Sequence, residues 1–332
     1  MDPFTQGVLG AAAAQAVLAR RLGRHTWLYG ALGGMAADLD VLIRSSADPM
    51  VAITWHRHFT HSLAFVPIGG LLCALPWLLR RRLGAKRWLI AAATTVGYAT
   101  HGLLDAFTSY GTQLWWPLTR TRVAWDFVAI IDPIYTLLLL AGVVVSSRRK
   151  SPRPALAALI ASSAYLALGG VLHARAVAAA RGLARDRGHV LARVEAFPEL
   201  PVNFLWRTVY RANGRVFVDA ARTPWFGATT IRNGGSLAIA EANTLPPDVA
   251  ADPRTHAAWE TFLWFTDGWI GVDPADPRHL VDMRYGLVSG GTESLWSLEL
   301  RPADAVGVRL LQGRPQASEF LEMRWHEIVG SP

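Results

Sequence analysis

The chain has 332 residues, of which 52% are hydrophobic and 17% charged, with a formal net charge of +8 and a pI near 10.2. That basicity first suggests a nucleic-acid surface, but the Lys and Arg residues cluster between apolar runs, so no nucleic-acid partner is expected. The single cysteine, Cys73, lies inside an apolar run and excludes an intramolecular disulfide.

Apolar stretches occur at 7–19, 27–43, 63–80, 88–107, 127–145 and 155–172. Several approach the roughly 20 residues that a spanning helix needs. They predict an α-helical integral membrane bundle of about six transmembrane helices, with the first two runs short or polar enough to be re-entrant. Met1-Asp2-Pro3 lacks a basic n-region, so the first run is expected to stay attached. Alternate loops differ in charge. One set carries Arg20, Arg21 and Arg24, then the basic residues of 80–87 and 148–153; the other carries only Arg44, Arg57, Arg120 and Arg122. The positive-inside bias assigns the first set to the cytoplasm and the N-terminus and everything after 172 to the outside.

After residue 172 the composition turns mixed, with frequent Pro and Gly, and predicts an extracytoplasmic α+β domain over 173–332 behind a membrane-embedded domain over 1–172. An Arg- and Ala-rich helix is expected over 173–194. Strand candidates at 206–210 and 215–220 flank Asn213-Gly214, a hairpin signal. Further strands are expected at 236–240, 280–287, 295–300 and 319–328, with a short amphipathic helix at 253–265.

Ionisable residues inside apolar runs are costly and call for a reason. Asp38, Asp40, His101 and Asp105 are of this kind, and the expected topology gathers them at one membrane face with the loop carrying His56, His58 and His61. His101 and Asp105 are four apart and share a helix face. Asp38 and Asp40 are two apart, so the helix is expected to end or distort there. Imidazole with carboxylate suits zinc, manganese or iron, whereas calcium wants more oxygens. Asp126 and Asp132 open the next run, with a functional role and helix capping as alternatives. Trp115 and Trp116 read as interfacial anchors. No phosphate-binding Gly loop and no Gly-x-Ser-x-Gly elbow occurs, which disfavours a P-loop nucleotidase and a serine hydrolase.

Residues 1–6 followed by a Gly/Ala-rich helix, Asp38-Leu39-Asp40, the His56-Arg57 and Thr60-His61-Ser62 run, His101-Gly102-Leu103-Leu104-Asp105, Tyr110-Gly111-Thr112 and Asp132-Pro133 together form a pattern. It resembles that of the YdjM-type membrane-bound metal-dependent hydrolases of the bacterial inner membrane, over about the first 135 residues. The resemblance implies Asp38, Asp40, His56, His61, His101 and Asp105 as metal-site positions. Many members carry a histidine where this chain has Gln6, and His58 matches no motif position.

The mechanism expected from these readings is metal-assisted hydrolysis of a phosphoester or lipid-linked substrate at the outer membrane face. One or two divalent ions would activate water, with Asp38 or Asp40 as general base and Arg57 steadying developing negative charge. The alternative is a noncatalytic membrane protein whose metal or polar cluster holds the bundle together while its outer domain binds a partner. A transporter is disfavoured because the polar residues gather at one end of the apolar runs.

Overall fold

A computed structural model describes residues 1–313 together with Arg324, Trp325 and Glu327. The expected strand at 319–328 lies outside the described residues, save those three. By packing, the chain divides into two compact units, one of 1–43 with 55–170 and the other of 44–54 with 171–332.

Each of the six apolar runs contains a helix, though the fifth begins with a non-helical stretch over 127–132, and the six-span bundle is not what they build. Helix α1 (Pro3–Leu22) starts on an Asp2 cap, whose side chain accepts from the Thr5 N–H at 2.9 Å, and stops at Gly23 with φ 82°. Helix α2 (Thr26–Ala36) has only 11 residues before tightening into a 3-10 turn, Ala37–Leu42. Helix α3 (Met50–Trp55) and a 3-10 turn, Phe59–His61, precede α4 (Val66–Leu78), which has 13 residues. Helix α5 (Lys86–Ala106) has 21 residues but carries His101 and Asp105, α6 (Pro133–Arg149) has 17, and α7 (Arg153–Asp186) has 34.

Among the described residues α7 alone is long and apolar enough to cross a membrane, with a mean hydropathy of 1.9 over its best window. The segments Met50–His61 and Leu63–Leu78 would pass the same test only as a pair, and they are bent by 57°. The multi-pass expectation fails because each shorter run is interrupted or carries polar residues before reaching the roughly 30 Å that a bilayer core requires. With one candidate span, counting basic residues in alternate loops loses its basis, and the orientation drawn from it falls too. Helix α7 also absorbs the start of the helix expected at 173–194 and ends it at Asp186.

Within the first unit α1, α2 and α5 approach through glycine. A Cβ on Gly10 would lie 2.4 Å from the Gly30 carbonyl oxygen, and one on Gly33 would lie 2.0 Å from that of Thr94. This close approach carries the end of α2 to the side of α5, and so Asp38 and Asp40 toward His101 and Asp105. Beside it Val8, Leu104, Leu139, Val143, Tyr165 and Leu166 form a core shared by α1, α5, α6 and α7.

Among the described residues the second unit contains a nine-stranded antiparallel sheet: β1 (Arg193–Pro198), β2 (Leu205–Ala212), β3 (Arg215–Arg222), β4 (Thr230–Arg232), β5 (Ser236–Ile239), β6 (Ile270–Asp273), β7 (Asp276–Asp282), β8 (Trp296–Leu300) and β9 (Val308–Gln312). Strands pair in the order β1-β2-β3-β5-β6-β7-β8-β9, and β4 adds to β3. Asn213 and Gly214 turn the β2–β3 hairpin with φ 51° and 70°, the left-handed pair that a two-residue loop demands. The strand expected at 280–287 begins earlier and ends at Asp282, where the Arg284 side chain pairs with the Asp282 carboxylate at 2.8 Å. Helices α8 (Pro247–Ala251) and α9 (Pro253–Phe265) lie between β5 and β6 in the chain. Phe197, Val209, Val218, Trp269, Val281 and Met283 fill the core of this unit.

Candidate metal centre

The 3-10 turn after α2 resolves the awkward two-residue spacing of Asp38 and Asp40, because the two carboxylates take opposite sides of one imidazole. Asp38 Oδ1 lies 3.5 Å from His61 Nε2, while Asp40 Oδ2 lies 3.2 Å from His61 Nδ1. His61 is delivered by its own 3-10 turn and packs against α5 at Gly102, where a Cβ would lie 2.0 Å from the His61 carbonyl oxygen.

From α5, His101 and Asp105 point to the same place. His101 Nε2 is 3.0 Å from His61 Nε2, 3.3 Å from Asp38 Oδ1 and 3.4 Å from Asp105 Oδ2; His61 Nε2 is 3.2 Å from Asp105 Oδ2. The four ligand atoms of Asp38, His61, His101 and Asp105 all lie within 4.8 Å of one another. A second group, Asp38, Asp40 and His56, meets the same criterion and shares Asp38.

The hydrogen bonds around the quartet set its tautomers. His101 Nδ1 faces the Gly34 carbonyl at 2.5 Å, and a carbonyl only accepts, so Nδ1 carries the proton. On His61 the Nδ1 side faces Asp40 Oδ2 and the Thr60 hydroxyl, which itself donates to Asp40 at 2.8 Å. Neutral rings so oriented present two Nε2 lone pairs to each other, an arrangement that a cation between them relieves. Asp105 Oδ2 is buried beside them, ion-paired with the Arg57 guanidinium but without a well-aligned hydrogen bond among the described residues.

Donors held about 2.0–2.1 Å from a tetrahedral zinc ion are separated by about 3.3–3.4 Å. The five measured separations run from 3.0 to 3.5 Å. The donor set therefore fits a divalent ion of the zinc type. Asp38 is the one member with a solvent-facing edge, its side chain 15% exposed against 0% for the other three.

Electrostatics keep the carboxylates ionised. Burial works against charge on Asp38, but when His101 and His61 are protonated, as the carboxylates around them favour, their N–H groups outweigh it and hold its carboxyl well below the usual range; a cation between the rings would take the place of those protons. Asp40 behaves likewise: burial opposes ionisation, and His56 and His61 overcome it. Asp40 also accepts from the Arg57 N–H at 2.9 Å.

All six sequence candidates thus fall in one cluster, in two tiers. Asp38, His61, His101 and Asp105 converge on a point; Asp40 and His56 pair with each other at 2.8 Å and brace His61 from behind. Arg57 lies buried in the left-handed region, with φ 61°, and turns its guanidinium to Asp105 Oδ2 at 3.2 Å, the Thr108 hydroxyl at 2.8 Å and the Tyr110 ring at 4.7 Å. It balances the charge of Asp105. His58 packs among the rings of Trp55, Phe59 and Trp116, away from the quartet. Asp132 caps α6, accepting from the Tyr135 N–H at 3.0 Å and the Tyr165 hydroxyl at 2.8 Å.

Two partners of Asp105 escaped sequence reasoning. Its Oδ1 takes the Met1 amine and the Gln6 amide, the latter at 2.9 Å. Gln6 lacks the imidazole that many members carry at that position, yet its amide still orients the carboxylate. Tyr98, whose hydroxyl donates to the Thr60 carbonyl at 2.8 Å, was equally silent in the sequence.

A family model described as YdjM inner membrane protein matches residues 1–176, the segment that holds every residue of the centre. No curated protein and no solved structure matches the chain significantly.

Proposed function

From the premise that the chain belongs to the YdjM inner membrane protein family, we propose that it is a membrane-associated, metal-dependent hydrolase acting on a phosphoester or lipid-linked substrate. The observation that carries this reading is the convergence of two histidine Nε2 atoms and the buried Asp105 Oδ2 on one point, with Asp38 at its solvent edge. His61, His101 and Asp105 would hold the ion as three buried ligands, with Asp38 at the solvent-facing edge of the set. A divalent ion so held supplies Lewis acidity and lowers the pKa of bound water.

The chain's own groups do the rest. Asp40 and the Gly34 carbonyl fix the two imidazoles with their Nε2 atoms inward; Gln6 and Arg57 fix Asp105. Asp38, ionised and partly exposed, is placed to take a proton from an incoming water. Membrane association has support beyond the family: α4 leaves Ile68, Leu72 and Leu75 exposed at 53%, 59% and 47%, an apolar face suited to lipid.

One observation favours a second reading. Four protein donors within tetrahedral spacing also describe a closed structural site, which would make the cluster a clamp across α2 and α5. Elemental analysis of detergent-purified protein, wild type beside the His61→Ala/Asp105→Ala double variant and Asp38→Asn, separates the cases. Near-stoichiometric metal in the wild type, lost in the double variant, supports the centre. Metal retained with hydrolysis of a phosphodiester panel lost in Asp38→Asn supports catalysis. Metal without hydrolysis in any protein supports the clamp, and metal-free wild type after reconstitution refutes both.

A further inference from the structure

Between the carboxyl-terminal halves of α1 and α6 lies a cavity of about 210 Å³ lined by Gln15, Ala19, Gly23, Arg24, Ser146 and Lys150. Gln15 is fully buried, and neither its Nε2 nor its Oε1 has a hydrogen-bond partner among the described residues. A buried amide in this condition marks a place where a polar partner belongs. Arg24 and Lys150 stand exposed at the same cavity.

An apolar groove of about 470 Å³ follows the same two helices, its walls including Phe4, Val8, Ala11, Trp27, Met35 and Val144, with Arg148 also in its lining. Ala11 in the groove and Gln15 in the cavity are one turn apart on α1, and Ser147 of the groove adjoins Ser146 of the cavity on α6. Polar and apolar compartments thus lie along one seam.

We propose that this seam binds one anionic phospholipid, its phosphate against Gln15, Arg24 and Lys150 and one acyl chain along the groove. Charge selects the headgroup. No Asp or Glu occurs between Pro3 and Ala37 or between Pro133 and Arg185, so a choline or ethanolamine cation would find no counter-ion there. The carboxyl ends of α1 and α6 contribute partial negative charge, which Arg20 and Arg21 and then Arg148 and Arg149 in their last turns offset. Basic pockets of this kind recognise anionic lipid headgroups. The seam uses none of the residues of the metal centre, so the lipid is bound intact and the site stands whether or not the chain hydrolyses anything.

The test is lipid retention by the full-length protein, delipidated in detergent, reloaded from mixed micelles of phosphatidylglycerol or phosphatidylcholine and read by native mass spectrometry. The expected result is about one phosphatidylglycerol per chain, at least about ten-fold above phosphatidylcholine, and a loss of about ten-fold or more in Arg24→Glu/Lys150→Glu. Both residues are exposed, so this variant should fold. Val144→Trp, which fills the groove and leaves the cations in place, should lose the lipid as well. Equal retention of the two lipids, retention unchanged in either variant, or an equal thermal shift from inorganic phosphate alone would overturn the proposal.

Discussion

His61 and His101 face each other through their Nε2 atoms at 3.0 Å while their Nδ1 atoms turn outward, one to Asp40 and the other to the Gly34 carbonyl. Each ring is held by its far nitrogen, which leaves the near one for a ligand. Replacing Asp40 with Asn removes the charge behind His61 without touching the quartet. Zinc affinity of Asp40→Asn should fall by about 10–100-fold, and that of His61→Ala should fall further, as measured by competition with a chromophoric chelator. Equal affinity in Asp40→Asn and wild type would remove Asp40 from any supporting role.

The same carboxylate sets an acid limit on the metal-free protein. Because its folded pKa is depressed, the stability it contributes is fully present above the ordinary carboxylate value of about 3.9 and is lost as pH falls below it. Melting temperature of chelated wild type should therefore drop progressively below about pH 4, and Asp40→Asn should show a shallower drop from a lower plateau. Parallel curves for the two proteins would contradict this linkage.

Gly102 tests how tightly the centre is seated. Its missing side chain lets the His61 carbonyl oxygen come to 2.0 Å from where a Cβ would sit, so Gly102→Ala must push the 59–61 turn off α5. We expect a loss of about 1–3 kcal/mol in stability from overpacking, with weakened metal binding in the same variant. Chemical denaturation and metal titration on one sample check both, and unchanged metal affinity would mean that the turn moves without the imidazole.

Asp132 offers the opposite outcome. As the cap of α6 and the acceptor for Tyr165, its replacement by Ala should cost about 0.5–2 kcal/mol of stability. Metal content should stay at the wild-type level. Loss of metal in Asp132→Ala would assign it the functional role that its hydrogen bonds argue against.

Helical identity is legible in the six long apolar runs, each of which contains a helix. What the sequence could not convey was length. Nothing in Ala37-Asp38-Leu39-Asp40 states that α2 tightens into a 3-10 turn after 11 residues, and Ser62 gives no warning of the bend before α4. Hydropathy windows run through such breaks, which is why six runs looked like six spans. The gathering of Asp38, His61, His101 and Asp105 was anticipated from a topology that the structure does not have; the cause is the glycine-mediated contact of α1, α2 and α5. The Asn213-Gly214 hairpin was readable because two left-handed residues in a row admit few sequences, whereas the Met1 and Gln6 contacts with Asp105 span about a hundred positions of chain and leave no local trace.

The strand order of the sheet bears on how the chain is made. Each strand lies beside its predecessor or successor along the chain, and the one pairing that skips a strand, β3 with β5, passes over the short β4 alone, so the pairings join near neighbours in sequence and the contact order of the sheet is low. A nascent chain can add such strands one at a time as they emerge. The quartet has a different schedule: its members all lie between Asp38 and Asp105, so the whole ligand set has been translated before the first residue of the sheet leaves the ribosome.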